Sequence, residues 1–206
     1  MILYDHGASS NCMKVRILLR QLELPFESVV VDLFTGETKR PEHLARNPDG
    51  RVPVLELDSG EQIPESGAIL LHLAEGTPYL PPPGLARTRV HQWLMFEQNQ
   101  IEANAAVARF MALTRRADGA PEVFADRRDR GRVAVQTVSR GLSDGRPFIA
   151  GDDYSVADIA LYAYVHCADE AGVELLDHPS ILSWLERVEA TPRFVNDLAP
   201  IPSTGP

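Results

Sequence analysis

The sequence predicts an α/β domain followed by an all-α domain. Up to residue 76, short apolar runs alternate with amphipathic helical patterns. The segment Gly76-Thr77-Pro78-Tyr79-Leu80-Pro81-Pro82-Pro83-Gly84 then places four prolines in nine residues, a stiff stretch that no regular element can cross. Beyond it no strand pattern recurs. The expected division is therefore an α/β domain over 1–76, a Pro-rich linker over 77–86 and an all-helical domain over 87–206 that ends in a loose tail.

The elements follow in order. Ile2-Leu3-Tyr4 reads as a short strand. From Asn11 to Leu22, the apolar residues Val15, Leu18, Leu19 and Leu22 recur at helical spacing, and Leu24-Pro25 stops the pattern. The β-branched run from Phe26 to Val31 reads as a second strand. A short helix is expected over Pro41–Arg46, with Pro41 suited to its first position. Val52–Leu57 is a third strand, Asp58-Ser59-Gly60 a turn, and Gln62-Ile63 the start of a returning strand. Glu65–Glu75 closes this half as a helix with Ile69, Leu70, Leu73 and Ala74 on its apolar face. The order β-α-β-α-β-β-α implies early parallel pairing and a late antiparallel hairpin, hence a mixed four-stranded sheet with helices packed on it.

In the second half, one long helix is expected from Arg87 to about Arg116, broken by Asp118-Gly119-Ala120-Pro121. A second runs from about Glu122 to Leu142, a third over Ser155–Ala171 and a fourth over Ile181–Ala190. The tail from Pro200 to Pro206 reads as loose.

Bulk properties restrict the function. The chain has 206 residues, 44% hydrophobic and 24% charged, ordinary for a globular protein. Its net charge of -9 is spread along the chain and repels phosphate backbones, which argues against nucleic acid as a partner. The N-terminus lacks a basic, apolar leader and no stretch is long enough to span a membrane, so a cytoplasmic location is expected. Cys12 and Cys167 form no C-x-x-C and read as buried small hydrophobes. The histidines show no metal-ligand spacing, and no metal is expected.

Three short segments carry the candidate chemistry, and each also has a plain structural reading. Ser9-Ser10-Asn11 precedes a helix and can simply cap it. The same place, with its unpaired N–H groups and helix dipole, favours an anion, and the Ser9 hydroxyl can donate to a thiolate held there. In Gly50-Arg51-Val52-Pro53, Pro53 reads as an edge proline before a strand. If the Val52–Pro53 bond is cis, the Val52 N–H and C=O stand open to an extended peptide. Glu65-Ser66 can cap the helix that follows. Functionally, a carboxylate and a hydroxyl beside free N–H groups make a two-sided socket for an amino acid.

Together these segments resemble the glutathione site of the glutathione S-transferases. The resemblance rests on Ser9, Asn11 and Cys12 in the first loop, Asn47-Pro48-Asp49-Gly50 with Arg51-Val52-Pro53, and Glu65-Ser66. Gly151-Asp152-Asp153-Tyr154-Ser155-Val156-Ala157-Asp158 is similar to that family's folding motif, in which Ser155 and Asp158 suit a capping box and Tyr154 and Ile159 a hydrophobic staple. The resemblance implies a thioredoxin-like first domain and a serine-type member akin to the theta, nu or beta groups. Ser9 would hold the glutathione thiol, with Asn11 and Ser10 as competitors. Val52, before a cis Pro53, would pair with the cysteinyl part, and Glu65 and Ser66 would hold the γ-glutamyl end. Lys39, with Arg40 behind it, would meet the glycyl carboxylate, and Arg51 would assist. Cys12 matches the more buried cysteine of the thioredoxin pattern, which argues against a cysteine-type enzyme.

The same resemblance implies glutathione as cosubstrate, a small electrophile in a pocket between the domains lined by Phe110, Met111 and Thr114, and a homodimer. Gln98, Asn99, Gln100 and Asn104 are its candidate interface residues. The implied role is detoxifying conjugation. A glutathione-dependent disulfide reductase or peroxidase is an alternative on the same site, and a non-enzymatic binding module is a third.

Overall fold

The computed structural model describes residues 1–202. Residues 203–206 of the expected loose tail lie outside the described residues. Two compact units emerge: Met1–Glu75 with Pro192–Pro200, and Gly76–Thr191.

The first unit holds a four-stranded sheet in the order β2-β1-β3-β4. Its strands are β1 (Ile2–Asp5), β2 (Glu27–Val30), β3 (Val54–Glu56) and β4 (Gln62–Pro64). β1 runs parallel to β2 and antiparallel to β3, and β3 pairs antiparallel with β4. This is the mixed sheet that the element order implies. Leu3 lies opposite Leu55, and both are fully buried with Val15 and Leu19 of helix α1 (Ser10–Gln21) and Ile69 of helix α3 (Ser66–Ala74). Each such aliphatic side chain contributes about 1.5–3 kcal/mol by leaving water. Tyr4 points the other way, as strand alternation requires. The Arg46 guanidinium of helix α2 (Pro41–Arg46) covers the Tyr4 ring at 4.2 Å, and the Tyr4 hydroxyl donates to Glu56 at 3.1 Å. Tyr4 is thereby committed to packing.

The end of the chain departs from the sequence expectation. Residues 192–200, grouped above with the helical domain, pack into the first unit as an extended strap. Asp197 receives the Arg16 Nε at 2.9 Å and the Arg20 Nη1 at 2.5 Å, Arg193 pairs with Glu23 at 2.9 Å, and the Ala199 N–H donates to the Gly7 carbonyl at 3.0 Å. Arg16 also reaches Asp5 at 2.5 Å, and Asp5 accepts from Ser28 at 3.1 Å.

The second unit is helical. Helix α4 (Leu85–Phe96) continues without a break into π-helical turns over Glu97–Ala106 and then helix α5 (Val107–Leu113). The sequence pattern shows one long helix here and gives no sign of the wider turns. Asn99 and Asn104 donate to the carbonyls four residues back, Met95 and Gln100, both at 2.9 Å. Those carbonyls thus keep partners where the backbone ladder widens. Helix α6 (Pro121–Gly141) crosses close to these turns, because a Cβ on Gly131 would meet Ala105 at 3.0 Å. Helix α7 (Val156–Val165) is shorter than the pattern suggests, since a 3-10 turn over Ala168–Ala171 replaces its expected end. Helix α8 (Pro179–Glu189) closes the unit. Among the described residues no helix is long and apolar enough to cross a membrane.

Asp158 is the polar centre of this unit. It is fully buried and completes a capping box with Ser155. It also accepts from the Ile149 N–H at 2.8 Å and the Trp184 indole at 2.9 Å. Burial pushes its carboxyl up, against these four hydrogen bonds from Ile149, Trp184 and Ser155. Tyr154 packs its ring edge-on to Tyr79 and Phe148. Replacing Asp158 by Ala strands several buried donors at once, each costing about 1 kcal/mol or more. Asp158→Ala is expected to destabilise the protein by roughly 3–4 kcal/mol, read as a lowered urea midpoint at an unchanged slope.

Candidate functional site

The first loop carries the chain from β1 into α1. Its turn is closed by the Ser9 N–H donating to the His6 carbonyl at 2.9 Å and the Ala8 N–H to His6 Nδ1 at 3.2 Å. Ser9 is the N-cap of α1, and its Oγ accepts the Cys12 N–H at 3.3 Å. The capping bond uses a lone pair and does not consume the hydroxyl proton, although the hydroxyl also lies in hydrogen-bond reach of the Cys12 thiol, so capping and donation to a ligand are compatible. Ser10 differs. It is only 3% exposed, and its hydroxyl has no partner among the described residues. A ligand on the surface of this loop cannot reach it. Cys12 is fully buried, and burial, followed by the nearby Asp5 carboxylate, drives its thiol far above the usual range despite the bond to Ser9. Burial also lowers the basicity of His6, more than Asp32 and Asp5 raise it, which favours the neutral ring.

The second segment enters β3. The Val52–Pro53 bond is cis. The carbonyl before it, on Arg51, is braced from two sides, by His43 Nε2 at 2.9 Å and Asn47 Nδ2 at 3.0 Å. Neither the N–H nor the C=O of Val52 bonds to another described residue. The turn leading here depends on Gly50, at φ 63°, where a Cβ would meet the Thr38 carbonyl at 2.6 Å. Lys39 is exposed and gives one of its three ammonium protons to the Asp49 carbonyl at 2.7 Å. Arg51 is exposed and paired with Asp49 at 2.6 Å, while Arg40 pairs with Glu37 at 3.0 Å.

The third segment opens α3. Glu65 is exposed, sits at φ 70° and ψ 112°, and makes no capping bond. Its carboxylate has no partner among the described residues. A non-glycine residue held there costs on the order of 1–3 kcal/mol, and such strain gathers at functional positions. Ser66 is 4% exposed and spends its hydroxyl proton on Asn11 Oδ1 at 3.1 Å. Neither residue therefore caps α3 with its side chain. The Ser66–Asn11 bond instead ties the start of α3 to the start of α1. Val52 joins Cys12 in one apolar cluster with Tyr4, Val31 and Val54. Three segments far apart in sequence thus converge at the N-terminus of α1.

In the helical unit, Phe110 and Thr114 are half-buried at the end of α5 and Met111 is buried. The Thr114 hydroxyl donates to the Phe110 carbonyl at 2.6 Å, and Arg116 lies over the Phe110 ring at 4.9 Å. Of the expected interface residues, Asn99 and Gln100 are exposed and Gln98 is half-buried. Asn104 is 5% exposed and accepts from Arg127 at 3.3 Å, so it is an interior tie of its own unit. The sequence reading missed His43, one helical turn before the Asn47-Pro48-Asp49-Gly50 motif, and gave Asn47 within that motif no bracing role. It also missed Asp5, Arg16 and Asp197, for which no local signal exists.

The family model of the glutathione S-transferase N-terminal domain matches residues 3–82, and that of the C-terminal domain matches residues 102–192. The chain is 32% identical to glutathione S-transferase 3 of Zea mays, over 99% of this chain and 96% of that one. It is 29% identical to the disulfide-bond oxidoreductase YfcG of Escherichia coli, over 93% and 92% respectively. The crystal structure of a glutathione S-transferase from Pseudomonas fluorescens Pf-5 superposes with a TM-score of 0.93 at 42% identity, covering 96% of this chain and 98% of that one.

The turn before Val52 offers a direct test of how this site is built. Gly50→Ala introduces both a clash with backbone and a disfavoured φ, and is expected to cost about 2–4 kcal/mol in urea unfolding. A cost below about 0.5 kcal/mol would show that the Lys39–Asp49 turn can relax.

Proposed function

Because the chain belongs to the glutathione S-transferase family, we propose that it binds glutathione on its first unit and activates the thiol to attack a small hydrophobic electrophile. One observation carries this reading: an exposed unpaired carboxylate, an unbonded stretch of backbone and a capping hydroxyl with a proton to give meet where α1 begins. Glu65 takes the γ-glutamyl ammonium. The matching carboxylate goes to the backbone N–H groups that open α3, because the Ser66 hydroxyl proton is already given to Asn11. Val52 pairs with the cysteinyl backbone in the manner of an added strand. Lys39 meets the glycyl carboxylate with its two remaining donors, and Arg51 adds positive charge beside it.

The thiol then lies at Ser9 and the first turn of α1. The hydroxyl donates to the thiolate, and the helix N–H groups add to its stabilisation, for a combined lowering of about one to two pKa units. Asn11 holds the two helix starts together and is a positioning residue, while Ser10 takes no part. The thiolate sulfur bonds to the electrophilic carbon, and the electron pair of the bond that breaks leaves with the leaving group. Phe110, Met111 and Thr114 supply the apolar wall for that electrophile. The working form is a homodimer, with Gln98, Asn99 and Gln100 on its contact face.

The similarity to the Escherichia coli disulfide-bond oxidoreductase supports a second reaction on the same site. There the glutathione thiolate attacks a disulfide sulfur, forms a mixed disulfide with it and releases the other half as a thiol. The buried Cys12 takes no part in either reaction.

Calorimetry with glutathione, followed by ultraviolet difference absorbance of the bound thiolate against pH, tests the proposal. Wild type is expected to bind with a lowered thiol pKa. Glu65→Ala is expected to weaken binding by about tenfold or more, and undiminished affinity would remove Glu65 from the socket. Ser9→Ala is expected to raise the bound thiol pKa by about one to two units. If Asn11→Ala raised it instead, the activating role would pass to Asn11. No binding at millimolar glutathione would leave a non-enzymatic binding module with this fold.

A further inference from the structure

The thiol loop is short. It runs from Asp5, the last residue of β1, to Ser9, the cap of α1, and its middle is Gly7. Gly7 has no side chain to anchor it; beyond the local bonds to His6 that close the turn, its carbonyl is what ties it to the rest of the fold. Two donors do, the Ala199 N–H at 3.0 Å and Arg16 Nη2 at 3.4 Å. Both trace back to the strap at 192–200. The Ala199 Cβ lies 3.3 Å from where a Cβ on Gly7 would stand, so strap and loop are in direct contact. Arg16 is held by Asp197 through Nε at 2.9 and 3.0 Å, and by Asp5 through Nη1 at 2.5 Å. The Arg16 and Asp5 side chains are each only 6% exposed and Asp197 is 24% exposed, so solvent replaces none of these bonds cheaply. Arg20 is the fourth charged group, bonded to Asp197 at 2.5 Å, and His6 lies within the field of Asp5 and Arg16.

We infer that the strap is a positioning element of the thiol site: Asp197, acting through Arg16, and the Ala199 N–H fix the Gly7 carbonyl and so aim the Ser9 hydroxyl and the first amides of α1. Asp197 touches no reacting atom. It determines where the loop stands, and the loop determines where the Ser9 proton points. The inference rests on the glutathione reading above for its functional half, and on geometry alone for its structural half. It also gives the chain end a part in catalysis, although that end is separated from Arg16 by 181 residues of sequence.

The test uses full-length wild type, Asp197→Ala, Asp197→Glu and Ala199→Pro. The proline removes the amide proton at an exposed position and leaves every charge in place. Amide hydrogen exchange without ligand reads the Ser9, Cys12 and Met13 amides, whose acceptors are His6 O, Ser9 Oγ and Ser9 O. Asp197→Ala and Ala199→Pro are expected to speed exchange there by about tenfold or more, and Asp197→Glu to restore most of the protection. With glutathione bound, the two disruptive variants are expected to raise the thiol pKa by about one unit, a tenfold loss of thiolate near neutral pH, with little change in glutathione affinity. A purely electrostatic role predicts the reverse for Asp197→Ala, because removing a negative charge favours the thiolate. Unchanged loop exchange in both variants would overturn the inference, whether or not glutathione binds. Faster exchange with an unchanged or lowered thiol pKa would also overturn it, reducing the strap to a stability clamp. If wild type bound no glutathione, the functional proposal would fall and the exchange result alone would decide the strap.

Discussion

A guanidinium taken out of water must find its anions within the fold, because an unpaired buried charge costs several kcal/mol. Arg16 finds two, Asp5 and Asp197. Asp5 ends β1 and also accepts from Ser28 of β2, Arg16 lies in the middle of α1, and Asp197 belongs to the strap. One side chain thereby fixes two strands, a helix and the end of the chain relative to one another. Burial works against its charge, but the bond to Asp197 and the field of both carboxylates outweigh that and keep it protonated. The loop of candidate chemistry is the short connection between Asp5 and the start of α1. Its geometry follows from that pairing.

The same logic, on a smaller scale, runs through the rest of the site. Each functional segment is held by a group that performs no chemistry. His43 and Asn47 brace the Arg51 carbonyl, and Ser66 binds Asn11 across the two helix starts. Glu65, on its strained backbone, keeps its carboxylate exposed and without a side-chain partner among the described residues. Support and function are thus divided between neighbours in sequence: within Glu65-Ser66 one residue stays open while the next is tied down.

Much of the fold was legible because its signals are local. Leu3, Val15, Leu19, Leu55 and Ile69 repeat with strand or helix spacing, and they form one buried cluster. The proline run and the Ser155-to-Asp158 spacing mark a break and a cap without reference to anything distant. The π-helical turns after Phe96 were not legible, because widening a helix leaves its apolar pattern nearly intact. The strap was not legible either. Asp197 reads as one more surface carboxylate until folding brings Arg16 beside it. Of the candidate site, Ser9, Val52, Pro53, Glu65 and Ser66 stand out in the sequence because the motif around each is contiguous. What sequence could not give was the fate of each hydroxyl. Ser9, Ser10 and Ser66 are chemically alike, yet one caps with a proton to spare, one is buried and one is spent on an amide.

The burial of both cysteines has a consequence for durability. A protein that handles soft electrophiles exposes its own nucleophiles to the same reagents, and an accessible thiolate would be alkylated along with the substrate. Cys12 is fully buried and Cys167 is 6% exposed, with burial pushing the Cys167 thiol up to about 12 despite the nearby Arg109. Neither offers a thiolate at neutral pH. In the glutathione reaction proposed above, the soft nucleophile is then the one brought in by the ligand and carried away with it, and the polypeptide's own thiols are withheld from the reagent.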